Sequence, residues 1–373
     1  NVFHYLDSGR FDDSILTAAL PETNVVIPSG QIVVPTAITD DSTLNYTISG
    51  AGKLSGATSL TKLGSGTLAL NVPGDFTGPV IIGGGTLQTT GNNPLADVSS
   101  ITVSNNSTFD FAGNAYNSTN PIVISGTGVN GVGAIYNSAG GIYGEMLNIV
   151  MADDALISQN GHGRYDLATG SKISGAHNLT INWNGDYGEW NSVNIGATVP
   201  GITLTNGNIG MKFMDTSFQN PATVFTAGTN CQVTFWNGGF NGSLNLLGGS
   251  SVNDYSNPFG TFNGSSITFA DGVTWLTYGN TNNQSINSAI TLNGIAHIRL
   301  GDHDLLFTNV ISGPGGFLSE YWNHARFLAA ANTYSGPTII KLGGNVLDGA
   351  WTNNGSISHS WWIVVGGGGP NWV

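Results

Sequence analysis

Two stretches lying nearly the whole chain apart carry the same pattern. The first runs Leu60-Thr61-Lys62-Leu63-Gly64-Ser65-Gly66-Thr67-Leu68-Ala69-Leu70, continues through Phe76-Thr77-Gly78-Pro79-Val80-Ile81-Ile82, and closes on Gly83-Gly84-Gly85-Thr86-Leu87. The second runs Phe327-Leu328-Ala329-Ala330-Ala331-Asn332-Thr333-Tyr334-Ser335-Gly336-Pro337-Thr338-Ile339-Ile340, then Gly343-Gly344-Asn345-Val346-Leu347. Each reads strand, glycine turn, strand, glycine turn, strand. Strands this short cannot bury an apolar face alone, so successive units must stack on one another, which is the logic of a solenoid.

At these residues the chain resembles the autotransporter-associated β-strand repeat family of bacterial surface and secreted β-helical proteins. The family pattern is an apolar residue, Lys, one residue and Gly-Ser-Gly-Thr-Leu-x-Leu, followed by Asn-x-Tyr-x-Gly-x-Thr and an apolar pair before Gly-x-Leu. The first copy keeps Lys62 and the Gly64 to Leu70 core but carries Phe76 and Val80 in place of Tyr and Thr. The second keeps Asn332, Tyr334, Gly336 and Thr338 but lacks the Gly-Ser-Gly half. Weaker echoes follow at Ile101-Thr102-Val103 with Ser107 to Phe111, at Ile122 to Gly128 with Gly133 to Asn137, and at Ile290-Thr291-Leu292 leading to Val310-Ile311-Ser312-Gly313. The resemblance implies an all-β, right-handed parallel β-helix (β-solenoid), a single elongated domain; the handedness comes from the family alone. It also implies export to the bacterial surface or exterior.

Composition bounds the alternatives. Only 8% of residues are charged and 55 are Gly, against about 25% charged and 7% Gly in ordinary globular chains. Collagen requires a strict three-residue glycine period, which is absent, and abundant Val, Ile and Leu with 10% aromatics exclude disorder. The net charge of −13, with nine Lys plus Arg in 373 residues, argues against nucleic acid, because phosphate binding needs clustered cations. No apolar run approaches the ~20 residues of a membrane helix. The start at Asn1-Val2-Phe3 is that expected of a mature polypeptide or of a trimmed one. Cys231 has no second cysteine to pair with, and its strand-like context predicts a buried, inert thiol.

Residues 1–40 depart from the repeat and concentrate charge around Asp7, Arg10, Asp12 and Asp13, as an N-terminal cap or assembly segment would. Residues 41–349 read as the solenoid, at roughly 20 residues per turn and with a length on the order of 90 Å at the usual strand spacing. Residues 350–373 hold a C-terminal apolar strand, Trp361-Trp362-Ile363-Val364-Val365, and a Gly-rich tail. A strand apolar on both faces is either sandwiched inside its own fold, as a last turn, or inserted into a neighbour, which makes these five residues the candidate self-assembly site.

Of the chemistry-bearing strings, Asp153-Asp154 with Gly161-His162-Gly163-Arg164 echoes β-helical polygalacturonases, but seven residues are far less than a turn, so the groups fall on different sides. Asp153 to Ile157 reads instead as a polar turn before a strand. Gly126-Thr127-Gly128-Val129-Asn130-Gly131 matches the dinucleotide fingerprint only as a string, because no helix follows it. Asp302-His303-Asp304 and the lone His4, His177, His324 and His359 raise metal binding, but calcium wants several carboxylates within one loop, and Gly301 to Asp304 reads as a solvated turn. No cofactor, metal or catalytic set emerges. Trp183, Tyr187 and Trp190, beside Asp186 and Glu189 in a polar segment expected to leave the stack, are the candidate glycan contact; the alternative is that they cover the flank or a subunit contact. The sequence therefore predicts a non-enzymatic structural subunit of an extracellular filament, surface layer or matrix that binds copies of itself. Its alternative is a cell-surface adhesin or glycan-binding passenger, with a β-helical polysaccharide hydrolase or lyase behind both.

Overall fold

In the computed structural model the described residues are 9–11, 23–91, 93–160, 164–183, 187–207, 210–237, 240–255, 261–277, 284–300, 305–321, 325–327, 332–341 and 363–365. The chain is a parallel β-solenoid: among these residues every strand pairing is parallel, the one helical segment is the 3₁₀ turn Val129–Gly131, and no helix is long and apolar enough to cross a membrane. Its contacts divide it into two units, 1–184 and 185–373.

In the first unit one lane is built from Ala37–Asp40, Ser59–Lys62, Val80–Ile82, Ile101–Val103, Pro121–Gly126, the first half of Asn148–Gln159, and Lys172–Ser174. Its register sets Ile38 on Leu60, then Val80, Ile101, Ile122, Ile149 and Ile173, all buried. A second lane stacks Tyr46, Leu68, Leu87, Phe109, Ile135, Ile157 and Ile181 in the same way. Alternation fills the interior: in Thr67–Asn71, Leu68 and Leu70 point in while Thr67 and Ala69 point out. The turns run from 19 residues, Leu68 to Leu87, to 29, Gly126 to Ala155 across the register slip, against the roughly uniform 20 expected.

The second unit repeats the scheme. Ile202, Phe225, Leu244, Ile267, Ile290 and Ile311 form one buried ladder. Its interior is aromatic, with Phe213 stacked on Phe235 at 5.7 Å and Phe235 on Phe240 at 5.9 Å, then Phe262 edge-on to Trp275 at 5.2 Å. Rings stacked at the turn repeat bury large areas without requiring hydrogen bonds.

The repeat motif acquires a physical reading. An added Cβ at Gly64 would meet Ser42 O at 2.0 Å, one at Gly66 would meet Leu44 O at 2.0 Å, and one at Gly78 would meet Thr58 O at 2.1 Å; these glycines let one turn's backbone lie against the previous one. Gly336, the counterpart of Gly78 in the second copy, meets Gly315 O at 2.4 Å in the same sense. Phe76 and Tyr334 occupy equivalent buried positions, as do Val80 and Thr338. In the second copy the Tyr334 and Thr338 hydroxyls are joined at 2.7 Å; in the first, Phe and Val replace both hydroxyls together. A buried hydroxyl needs its partner, so the pair changes as a unit. Tyr334→Phe alone is therefore expected to cost about 1–3 kcal/mol, and Tyr334→Phe with Thr338→Val to recover most of it, in a denaturant-unfolding double-mutant cycle.

Two expectations are corrected. Gly9–Phe11 already pairs with Ala37–Asp40, and Asn24–Val26 with Tyr46–Ser49, so stacking starts ahead of residue 41. Gly188–Asn191 is a strand paired with Met211–Met214, not part of a loop leaving the stack, because Gly188 and Trp190 alternate inward with the solenoid's own period.

Candidate functional site

The five residues expected to mediate assembly divide. Trp361 and Trp362 lie outside the described residues. Ile363–Val365 is a strand, set parallel on Thr338–Lys341 with Ile363 on Thr338, Val364 on Ile339 and Val365 on Ile340. It thus continues the same lane as Gly316–Tyr321 and Ile295–Leu300. Of the two readings of the apolar C-terminal strand, a further turn of its own fold is the one this pairing matches.

The glycan-contact trio is corrected. Trp183 and Trp190 are 0% exposed. Trp183 packs 5.6 Å from Tyr165, and Trp190 packs edge-on 5.6 Å from Phe213. Buried indoles cannot stack on a sugar. Tyr187 alone of the three is half-buried, its hydroxyl donating to Glu189 Oε2 at 3.2 Å. Glu189 also accepts from Lys212 Nζ at 3.2 Å, one turn on, and that ammonium stands 4.4 Å over the Trp236 ring. Lys212 and Trp236 were not legible as part of this group, since they lie one and two turns away from Glu189; the 23-residue offset between Glu189 and Lys212 is the signal that links them. The register continues the Lys212 position through Thr234, Asn253, Leu276 and Arg299 to positions 320 and 341.

Asp153 and Asp154 lie within the strand Asn148–Gln159 rather than in a turn before it, where the register slips between Ile124 and Gly126 of the preceding turn. The slip throws Ala152, Asp153 and Asp154 all outward. His162 lies outside the described residues. The histidine that does reach the acids is His177 of the following turn, Nδ1 at 3.8 Å from Asp153 and 3.9 Å from Asp154, a residue that read as solitary in the sequence. Asn178 holds Asp154 through its backbone N–H at 2.7 Å and its side-chain amide at 3.2 Å, which keeps that carboxyl below the usual range. These three are the one group of carboxylate and imidazole ligands among the described residues spaced to share a metal ion, with donor atoms within 4.8 Å. They are open to solvent, and their carboxylates arise side by side on one strand, whereas glycoside hydrolysis places its two acids on opposite sides of the bond.

The remaining strings resolve simply. Gly126 to Gly131 is a turn, with Gly126, Gly128 and Gly131 all at positive φ. Cys231 is buried and free; it accepts from Gly207 N–H at 3.3 Å and donates to Leu204 O at 3.4 Å, and burial pushes its thiol up. Positions 302–304, His4, His324 and His359 lie outside the described residues. Fold and geometry together define a parallel β-solenoid with a packed interior. Comparison with protein-family models, with curated proteins and with solved structures finds no match.

Proposed function

We propose that the chain is a non-enzymatic structural protein of the bacterial exterior, a subunit of a filament, surface layer or matrix that assembles with copies of itself through the ends of its solenoid. The observation that carries this reading is the unbroken parallel ladder within each unit, in which a turn pairs with the turns before and after it. An end turn therefore presents the same row of backbone donors and acceptors that the interior turns use, and a second copy continues the ladder without new chemistry. Low charge density favours such contact. Resemblance to the autotransporter-associated repeat supports the extracellular setting. A glycan-binding passenger is the second reading; with Trp183 and Trp190 interior, it rests on Tyr187 and on Trp236 beside Lys212.

The test compares the full chain with one ending at Asp348, by negative-stain electron microscopy and sedimentation velocity. Filaments or a concentration-dependent ladder of oligomers from the full chain is the expected result, and the shortened one shows whether the turn bearing Ile363–Val365 is the end that joins. Monomers from both at every concentration would transfer the function to the glycan-binding reading.

A further inference from the structure

Glu145 is a carboxyl group in the interior of the first unit, 1% exposed, at the end of the strand Ile142–Glu145. Among the described residues its side chain receives one hydrogen bond, from Tyr116 N–H at 2.6 Å. The same junction is tied twice more: Ser118 N–H donates to Met146 O at 3.0 Å, and Met146 N–H donates to Asn117 Oδ1 at 2.8 Å. Segment 116–118 is thus pinned on 145–146 of the following turn, with Glu145 as the only carboxyl in the pin.

The surroundings offer little to a negative charge. From the preceding turn comes Tyr116, buried, its hydroxyl pushed up to about 12. From the following turn comes Tyr165, also buried, whose hydroxyl makes no hydrogen bond among the described residues and whose own ionisation is opposed by burial and by Glu145. Arg164, beside Tyr165, is engaged with Asp166 at 2.7 Å and faces the Tyr143 ring at 5.9 Å. No ion pair reaches Glu145 among the described residues. A buried carboxylate is stabilised by two or three donors or by a cation, and here there is one donor.

We propose that Glu145 is a proton-operated latch: as a neutral acid it holds segment 116–118 onto the next turn, and on ionisation it loosens that junction while the surrounding ladders stay intact. Burial raises its carboxyl to about 7, with the Tyr116 N–H opposing in part. The sign follows. An acid whose folded value lies above its unfolded one contributes its stability in full below the unfolded range near 4.5, and that contribution is lost as pH rises through about 7. The junction is therefore tight in mildly acidic medium and loose in mildly alkaline medium.

Hydrogen exchange of the native chain between pH 5.5 and 8.5, expressed as protection relative to the unstructured amide, tests this. Protection at Tyr116 and Ser118 is expected to fall at least tenfold across the range, with Val103 unchanged, and Glu145→Gln is expected to flatten the profile. A flat profile in the native chain, or the same fall in Glu145→Gln, would overturn the latch. Independently of any substitution, carbon-13 titration of the Glu145 carboxyl in the native protein gives a separate reading: a midpoint near 7 supports the latch, and one in the ordinary carboxylate range removes it.

Discussion

Lys62→Met is expected to destabilise the first unit by about 3–5 kcal/mol, far more than removal of a surface lysine. Lys62 and Asp40 are adjacent in register, both side chains are 0% exposed, and Nζ lies 3.8 Å from Asp40 Oδ2 while donating to Gly64 O. Asp40 in turn accepts from Ser42 N–H at 2.9 Å. The ammonium sits where the Gly64 to Gly66 turn directs carbonyls inward: a Cβ built on Gly85 would meet Gly66 O at 2.3 Å, Gly64 O at 2.4 Å and Lys62 Nζ at 2.9 Å. Removing the cation takes the counter-charge from a buried carboxylate and the donor from Gly64 O, which is costlier than the pair is worth. Lys62→Met with Asp40→Leu is accordingly expected to recover a large part of the loss. A denaturation midpoint for Lys62→Met within error of the native chain would show that the pair is not buried as described.

Trp190→Ala is expected to cost about 3–5 kcal/mol, because it opens an indole-sized cavity between turns against Phe213. Tyr187→Ala, at a half-exposed position three residues earlier, is expected to leave the thermal midpoint nearly unchanged. The two substitutions separate a core role from a ligand-binding one. Had Trp190 faced solvent as a sugar platform, its loss would abolish ligand capture at unchanged stability; unaltered near-ultraviolet circular dichroism and melting in Trp190→Ala would contradict the packing.

The architecture was legible because its signals are local. Gly64, Gly66, Gly78 and Gly336 stand where adjacent backbones approach, and each marks a turn whatever lies beyond it. The strands Ser59–Lys62, Thr67–Asn71, Val80–Ile82 and Gly85–Thr89 follow directly from the glycines that bound them. What could not be read was which residues from different turns meet. His177 reaches Asp153, Lys212 reaches Glu189 and Lys62 reaches Asp40 across a whole turn, and the turns vary from 19 to 29 residues, so a single average period misaligns them. The Trp183 to Trp190 segment misled for a different reason. Its Asn, Asp and Gly content reads as loop, yet the strand Gly188–Asn191 keeps strict alternation, with Glu189 outward and Trp190 inward.

The most direct test of end-to-end assembly is X-ray diffraction from aligned filaments of the full chain. Copies that continue one another's ladders keep their strands perpendicular to the filament axis, so the account predicts a meridional reflection at about 4.8 Å. That reflection on the equator, from filaments built side by side, would contradict it.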